Sequence, residues 1–560
     1  MRTLAASTAG ALVLAAASFA AVAPGAHASV TDTASTSKID WGPCTTGGPA
    51  GADSQCGFLS VPMDWSNPAG KQIQIAVSRE KATAKRRGVI LANPGGPGGS
   101  GLALSSLRDT ISNGAGKGYD WIGFDPRGVG QSKPAISCDP NYEKGPRPDY
   151  TPESHGSTLS HDEDAWLALS KKYAGECGQK YGDLLSHMKT EDTVRDMDAI
   201  RSALGEKKIS YYGFSYGTYL GQVYATLFPT HVDRMVLDGN VDPKGVWYDA
   251  QLSQDKAFEG VSRKFFSWVA AHNNTYYLGS TEAAVRGKYY AVLKQLAGKP
   301  VSGIGPSEWV DTFSHTMYAE FLWPDAAGAF ASWVNRHDMS EAQVAYQSAQ
   351  DPDDNGFAVY NAVQCTDTAW PSSYDKVWRP DGFKTATEAP FETWANVWYN
   401  TACLFWPAKA GTPIKVDGAK APPMLLINAT LDGATPFADA LDVRKLFPSS
   451  RLVAEKDATS HANSLGGNPC IEDRVAKYLA NGELPARKSG DGPDVVCNRV
   501  AEPTPGFGSY EPKSATPVTP STPAPSGPST ELPPNSTPPQ DPSPADPLLG
   551  LVPTGKGGAG

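Results

Sequence analysis

"KISYYGFSYGTYLGQVYATLFP", residues 208–229, decides the fold. A β-branched and aromatic run from Ile209 to Phe214 stops at a serine set between glycines, and an amphipathic helical pattern begins directly after it. Gly213-Phe214-Ser215-Tyr216-Gly217 is G-x-S-x-G, a pattern that means little by itself in a chain with 56 glycines among 560 residues. Its setting between strand and helix is what makes it informative. At such an elbow the serine backbone is strained, and side chains at Gly213 and Gly217 would collide with the crossing strand and helix. Ser215 is therefore the predicted nucleophile, its hydroxyl projecting above a sheet.

Working outward, "QIQIAV", "GVILAN", "YDWIGFD", "KISYYGF" and "RMVLDG" read as strands between about 70 and 240, with "TVRDMDAIRSALG" and "TYLGQVYATLF" as helices. The alternation returns at "PPMLLINAT" and "RLVAEKD". It predicts an α/β fold with a mostly parallel sheet flanked by helices. Residues 243–415 are instead helical and aromatic and hold ten of the 14 tryptophans, Trp247 to Trp406. They read as a mainly helical cap inserted into a core formed by 38–242 and 416–500. Most of those tryptophans are expected in the cap's own interior.

The chain starts with one positive charge, an Ala/Leu/Val-rich stretch to Val22 and the small-x-small signal Ala26-His27-Ala28, so 1–28 reads as an export signal, and Ser29 to about Ser37 as a candidate propeptide. No other stretch is long enough to span a bilayer, and stable membrane insertion is not expected. Residues 501–560 hold 16 of the 47 prolines with few apolar side chains and read as a disordered spacer, a candidate for cell-wall association. A net charge of -10, without a long basic run, lacks the footprint of a nucleic-acid binder. The eight cysteines of an exported chain suggest disulfides; pairing nearest neighbours gives Cys44–Cys56, Cys138–Cys177, Cys365–Cys403 and Cys470–Cys497. No cluster has the spacing of metal ligands, and no metal or organic cofactor is implied.

A serine hydroxyl needs a base, usually histidine held by a carboxylate, in the chain order Ser, acid, His for this architecture. Of nine histidines the last two are His337, inside the predicted cap, and His461, beyond the final strands. His461 is the expected base. Asp432 in "MLLINATLDGATPF" follows a strand and precedes Thr435-Pro436, which reads as a helix N-cap and first turn. It is the expected acid, with Asp457 as runner-up; Asp439 and Asp442 read as helix surface.

"VILANPGGPGGSG", residues 89–101, carries five glycines after a strand. It satisfies G-x-G-x-x-G, with Asp125 ending the next strand, so it raises a dinucleotide site as one possibility and an oxyanion hole as another. Pro94 and Pro97 have no N–H to offer a pyrophosphate, which favours the oxyanion hole. Its donors would be the N–H groups of Gly96 and of Tyr216, the residue after the nucleophile. Ser100 lacks the elbow, and Asp125 and Arg127 of "FDPRGVGQS" are expected to fix loops beside the site.

As a set, "NPGGPGGSG", "GFDPRGVGQS", "YYGFSYGTYLG", "RMVLDGNVDP" and "LDGATP" followed by His461 resemble the secreted tripeptidyl aminopeptidases of the α/β-hydrolase fold, relatives of the prolyl aminopeptidases, over about residues 38–500. The resemblance implies Ser215, Asp432 and His461 as triad and Gly96 and Tyr216 as oxyanion donors. Pro94 stands where prolyl aminopeptidases often have histidine in His-Gly-Gly-Pro-Gly, which favours the tripeptidyl branch, and the long Pro-rich tail departs from the family pattern. The implied substrate is a peptide with a free N-terminus, whose buried ammonium needs an anion. Glu320 in "MYAEFLWPD" and Asp367 in "VQCTDTAWP" are the candidates. The sequence thus predicts a secreted serine exopeptidase. The alternatives are a prolyl aminopeptidase-like enzyme, an esterase or amidase acting on small molecules, a non-catalytic wall-associated binding protein and a dinucleotide oxidoreductase.

Overall fold

The computed structural model describes residues 38–506 apart from 45–47, 50–52, 143, 145–146, 153–157 and 351–352. The predicted leader and propeptide, and the Pro-rich segment beyond residue 506, lie outside the described residues.

Ten strands form one sheet: β1 (Gly42–Pro43), β2 (Gln55–Pro62), β3 (Gln72–Glu80), β4 (Gly88–Asn93), β5 (Tyr119–Phe124), β6 (Ile209–Phe214), β7 (Val232–Asp238), β8 (Leu425–Ala429), β9 (Arg451–Lys456) and β10 (Val495–Asn498). Their order is β1-β2-β3-β5-β4-β6-β7-β8-β9-β10. The pairings β1 to β2, β2 to β3 and β3 to β5 are antiparallel, and all others are parallel. Every residue of β6 and β8 is buried, as expected of central parallel strands covered on both faces.

Alternate side chains divide between two cores. Leu91, Ile122, Tyr211, Leu237 and Leu426 face one, with Val194, Met197 and Ile200 of the helix Thr190–Ala203 and Leu220 and Val223 of the helix Tyr216–Leu227. Ile90, Trp121, Tyr212, Val236 and Leu425 face the other, with Ile471, Val475 and Leu479 of the helix Pro469–Asn481. Between β7 and β8 the chain forms helices, from Tyr248–Ala271 to Thr393–Asn400. Phe265, Tyr289, Trp309, Phe313 and Phe330 make a separate aromatic core there. Trp309, Trp323, Trp378 and Trp398 are fully buried, so the tryptophan-rich composition mostly serves packing.

Register brings the site together. Asn93 of β4 lies opposite Gly213 of β6, Phe214 opposite Asp238 of β7, and Asp238 opposite Ile427 of β8. The loops leaving β4, β6 and β8 therefore emerge side by side at the carboxyl edge of the sheet, where open α/β sheets bind their ligands.

The cysteines pair as nearest neighbours: Cys44–Cys56, Cys138–Cys177, Cys365–Cys403 and Cys470–Cys497. The last ties the helix Pro469–Asn481 to β10, and Cys138–Cys177 ties the loop after β5 to the helix His161–Leu185.

Candidate active site

Ser215 sits at the turn between β6 and the helix Tyr216–Leu227 with φ 58° and ψ -127°, a conformation costly for a residue with a Cβ. The turn is held by its surroundings: the Ser215 N–H donates to the Asp238 carbonyl at 2.8 Å and Thr218 N–H to the Ser215 carbonyl at 2.7 Å. The glycines have the steric reason expected of them. A Cβ on Gly213 would stand 2.5 Å from the Gly217 carbonyl oxygen, and one on Gly217 would stand 2.8 Å from that of Asn93.

Ser215 Oγ lies 2.7 Å from His461 Nε2, although 246 residues separate them. On the far side of the imidazole, Nδ1 is 2.8 Å from Asp432 Oδ2 and 3.0 Å from Oδ1. With the proton on Nδ1 donated to Asp432, Nε2 is left as an acceptor for the Ser215 hydroxyl. The Asp432 carboxylate is itself fixed: Oδ1 accepts from the N–H groups of Ala434 at 2.9 Å and Thr435 at 3.0 Å, and Oδ2 from the Thr435 hydroxyl at 2.9 Å. Thr435 is thus a partner of the acid, not the helix cap the sequence suggests; the helix begins at Phe437 with Pro436 at its cap. An Asp whose side chain accepts N–H groups two and three residues ahead is an Asx turn, which Asp432-Gly433-Ala434-Thr435 spells out. Asp457, the runner-up, is exposed and lies at the end of β9 with its N–H on Thr430 Oγ1.

As the first residue of its helix, Tyr216 has an N–H without an intrahelical acceptor, at the positive end of the helix dipole. Gly96, with φ 111°, lines the same small cleft as Tyr216. The loop comes close to the elbow: a Cβ on Gly95 would stand 2.6 Å from the Phe214 carbonyl oxygen.

The sequence is similar to known proteins. A model of the α/β-hydrolase fold matches residues 88–463. Over 483 residues the chain is 41% identical to a tripeptidyl aminopeptidase of Streptomyces lividans, covering 83% of this chain and 88% of the relative. It is 30% identical over 478 residues to serine protease Hip1 of Mycobacterium tuberculosis, with 80% and 89% covered. Carboxylesterase B of Mycobacterium tuberculosis is 29% identical over 461 residues, with 77% and 85% covered. The chain belongs to the tripeptidyl aminopeptidase family of α/β-hydrolases. It is accordingly an enzyme of the serine hydrolase class.

Around the site of this α/β-hydrolase, other singled-out residues have structural duties. Ser100 Oγ donates to Asp125 Oδ1 at 2.6 Å, and the same carboxylate accepts from Gly101 and Gln131 N–H groups, so Asp125 fastens the glycine loop to β5. Arg127 makes a bidentate pair with Asp196 at 2.8 and 2.7 Å, fully buried, and donates to the carbonyls of Met63 and His187. Both therefore fix loops, as expected.

The two carboxylates predicted to receive a substrate amine each have partners within the protein. Asp367 accepts from Thr190 N–H at 2.7 Å, Thr190 Oγ1 at 2.6 Å and Trp247 Nε1 at 3.1 Å. Burial pushes its pKa up to about 6. The Thr190 hydroxyl also meets Tyr216 OH at 2.8 Å, so Asp367 is linked through Thr190 to the residue that follows Ser215. Glu320 Oε1 accepts from Thr459 N–H and hydroxyl, and Oε2 pairs with Arg499. Glu320 N–H in turn donates to Ser460 Oγ, and His461 N–H donates to the Tyr318 carbonyl at 2.8 Å. The helical insertion therefore holds the loop that carries the histidine.

From the sheet side the same loop is held by Asp238, whose Oδ2 accepts from Ser464 N–H at 2.7 Å. Burial raises the Asp238 pKa to about 7. Glu320 and Asp238 were beyond sequence reasoning as supports, because each acts on a loop more than 100 residues away.

Proposed function

We propose that this α/β-hydrolase is a secreted serine exopeptidase that releases tripeptides from peptides with a free N-terminus. The observation that carries the reading is the line Ser215 Oγ, His461 Nε2, His461 Nδ1, Asp432, with 2.7 Å at one end and 2.8 Å at the other. The peptidase character is supported by the relatives named tripeptidyl aminopeptidase and serine protease.

In this reading Ser215 attacks the scissile carbonyl while His461 takes its proton at Nε2. Asp432 holds the imidazole tautomer and stabilises the imidazolium. The oxyanion is received by the Gly96 and Tyr216 N–H groups, each worth on the order of 3 kcal/mol in the transition state. His461 then returns the proton to the leaving amine, and water cleaves the acyl-serine by the reverse path. Residues 243–415 act as a cap over the carboxyl edge of the sheet, bounding the space for peptide on the N-terminal side of the scissile bond. Export is supported by the leader-like composition of 1–28 and by four disulfides. The composition of 501–560 suits a spacer between the catalytic unit and the cell wall.

The test is mass spectrometry of products from a free-amine hexapeptide and its N-acetylated twin, with wild type and Ser215→Ala. The reading requires an N-terminal tripeptide from the free-amine peptide with wild type alone. Carboxylesterase B among the relatives favours one second reading, a small-molecule esterase. It predicts that neither peptide is cut while a simple ester is hydrolysed through Ser215.

A further inference from the structure

With Glu320 and Asp367 committed elsewhere, the peptide's ammonium needs another partner. A cleft of about 30 Å³ opens beside Gly96 and Tyr216 and is walled by Trp247, Gln251, Thr435 and Asp439. A water needs about 10 to 15 Å³, so the cleft suits an ammonium head group and excludes a bulky side chain. Two of its polar walls, Gln251 and Asp439, carry acceptors. Gln251 is 8% exposed; its Nε2 donates to Tyr360 OH at 2.9 Å and Gln364 Oε1 at 3.3 Å, while its Oε1 has no partner among the described residues. A buried carbonyl oxygen left unpaired is costly and points to a donor that arrives with a ligand.

Asp439, half-buried in the first turn of the helix Phe437–Leu446, lies beside the Asp242 backbone and stands in the field of the carboxylates of Asp242, Asp432 and Asp442. Among the described residues no lysine, arginine or histidine pairs with it; Lys244, the nearby cation, lies 3.7 Å from Asp442. Burial and the Asp242 charge raise its pKa to about 7. A cation entering the cleft would relieve that repulsion.

The geometry points to Asp439 and Gln251 as the receptor for the α-ammonium group of the peptide substrate. This inference rests on the peptidase reading above and supplies the anion that reading lacks. A lysine side chain offers the same ammonium chemistry, so the test separates the two sources.

The experiment compares kcat/KM of the full chain on trialanine p-nitroanilide, its N-acetyl twin, and an N-acetylated version with Lys as its first residue. Wild type is expected to prefer the free amine over the acetyl twin by on the order of 30-fold, and Asp439→Asn to reduce that preference to about threefold, mainly through KM. Asp439→Glu restores most of it, and Gln251→Leu gives an intermediate loss. Melting temperatures establish that each variant is folded, and Gln251→Leu keeps the test open if Asp439→Asn is not. A folded Asp439→Asn that retains the wild-type preference overturns the assignment. So does a loss confined to the Lys substrate, which would make the cleft a side-chain pocket. If wild type cleaves no anilide yet hydrolyses p-nitrophenyl acetate through Ser215, the peptidase reading itself fails, a result distinct from both.

Discussion

Glu320 Oε1 accepts two hydrogen bonds from Thr459, from the N–H at 2.9 Å and the hydroxyl at 2.7 Å, two residues before His461. With Oε2 on Arg499, one buried carboxylate joins the helical insertion, the histidine loop and the segment after β10. The insertion is therefore part of what positions His461, and a disturbance there reaches the Ser215–His461–Asp432 line without touching it.

Glu320→Ala removes the acceptor of the Thr459 N–H and hydroxyl and leaves Arg499 with only the exposed carboxylate of Glu502, 3.1 Å away. The expected cost is about 2 to 4 kcal/mol of stability, since hydrogen bonds to charged groups contribute about 1.5 to 3 kcal/mol. A looser histidine loop should lower kcat by about tenfold with KM little changed. Urea unfolding and steady-state kinetics on a Ser215-dependent substrate check this. Wild-type kcat in a folded Glu320→Ala would show that the clamp does not aim His461.

Thr435 Oγ1 sits 2.9 Å from Asp432 Oδ2 and 3.3 Å from His461 Nδ1. Thr435→Val keeps the shape and removes one bond to the carboxylate, worth about 1.5 kcal/mol, so kcat should fall by roughly tenfold. Asp432→Asn should be far worse, a loss on the order of 10⁴, because an amide cannot hold the Nδ1–H tautomer. Equal effects from the two variants would contradict the assignment of Asp432 as orienting acid.

Cys365 on the helix Asn355–Asp367 and Cys403 in the turn Thr401–Phe405 are 38 residues apart, and their bond ties two parts of the insertion. Closing a loop of that length restricts the unfolded chain by about 3 to 4 kcal/mol. Cys365→Ser with Cys403→Ser should lower the unfolding free energy by about that amount, measured against an oxidised wild type. An unchanged unfolding midpoint would show that the bond constrains little.

The elbow and the central strands were legible because their chemistry is local. β4 and β6 are continuous apolar runs ending in glycine-rich turns, and their predicted limits fall within a residue of the observed ones. His461 and Asp432 followed from chain order at the carboxyl edge. β1, β2 and β10 leave little mark in the sequence: β1 has two residues, β2 ends in proline at the antiparallel end of the sheet, and β10 has four residues after a Gly/Asp-rich loop. Their pairing comes from neighbouring strands, not from strong local patterns. Asp439 reads as helix surface, yet it is largely withdrawn from solvent beside the carboxylate of Asp242. Glu320 lies among aromatic residues in the sequence, and its partners Thr459 and Arg499 are 139 and 179 residues away. Such long-range pairing leaves no mark in a single sequence.

Asp238 ties stability to pH. Its carboxyl is 1% exposed and its pKa is raised to about 7 by burial, against the attraction of the Ser464 N–H and His461. An unfolded aspartate loses its proton near pH 4. Between about pH 4 and pH 7 the native state therefore binds more protons at this group than the unfolded state, and its contribution to stability falls as pH rises. The full span is on the order of 4 kcal/mol, reached above pH 7 where both states are ionised. Asp238→Asn removes that titration while its side-chain oxygen still accepts from Ser464 N–H. The variant should gain on wild type as pH rises, with the difference in unfolding free energy moving by about 2 to 3 kcal/mol in its favour between pH 5 and pH 8. Denaturant unfolding of both proteins across that range measures it. Parallel stability curves would mean that Asp238 is ionised throughout and that the loop around His461 supplies more stabilisation to its charge than the Ser464 bond alone.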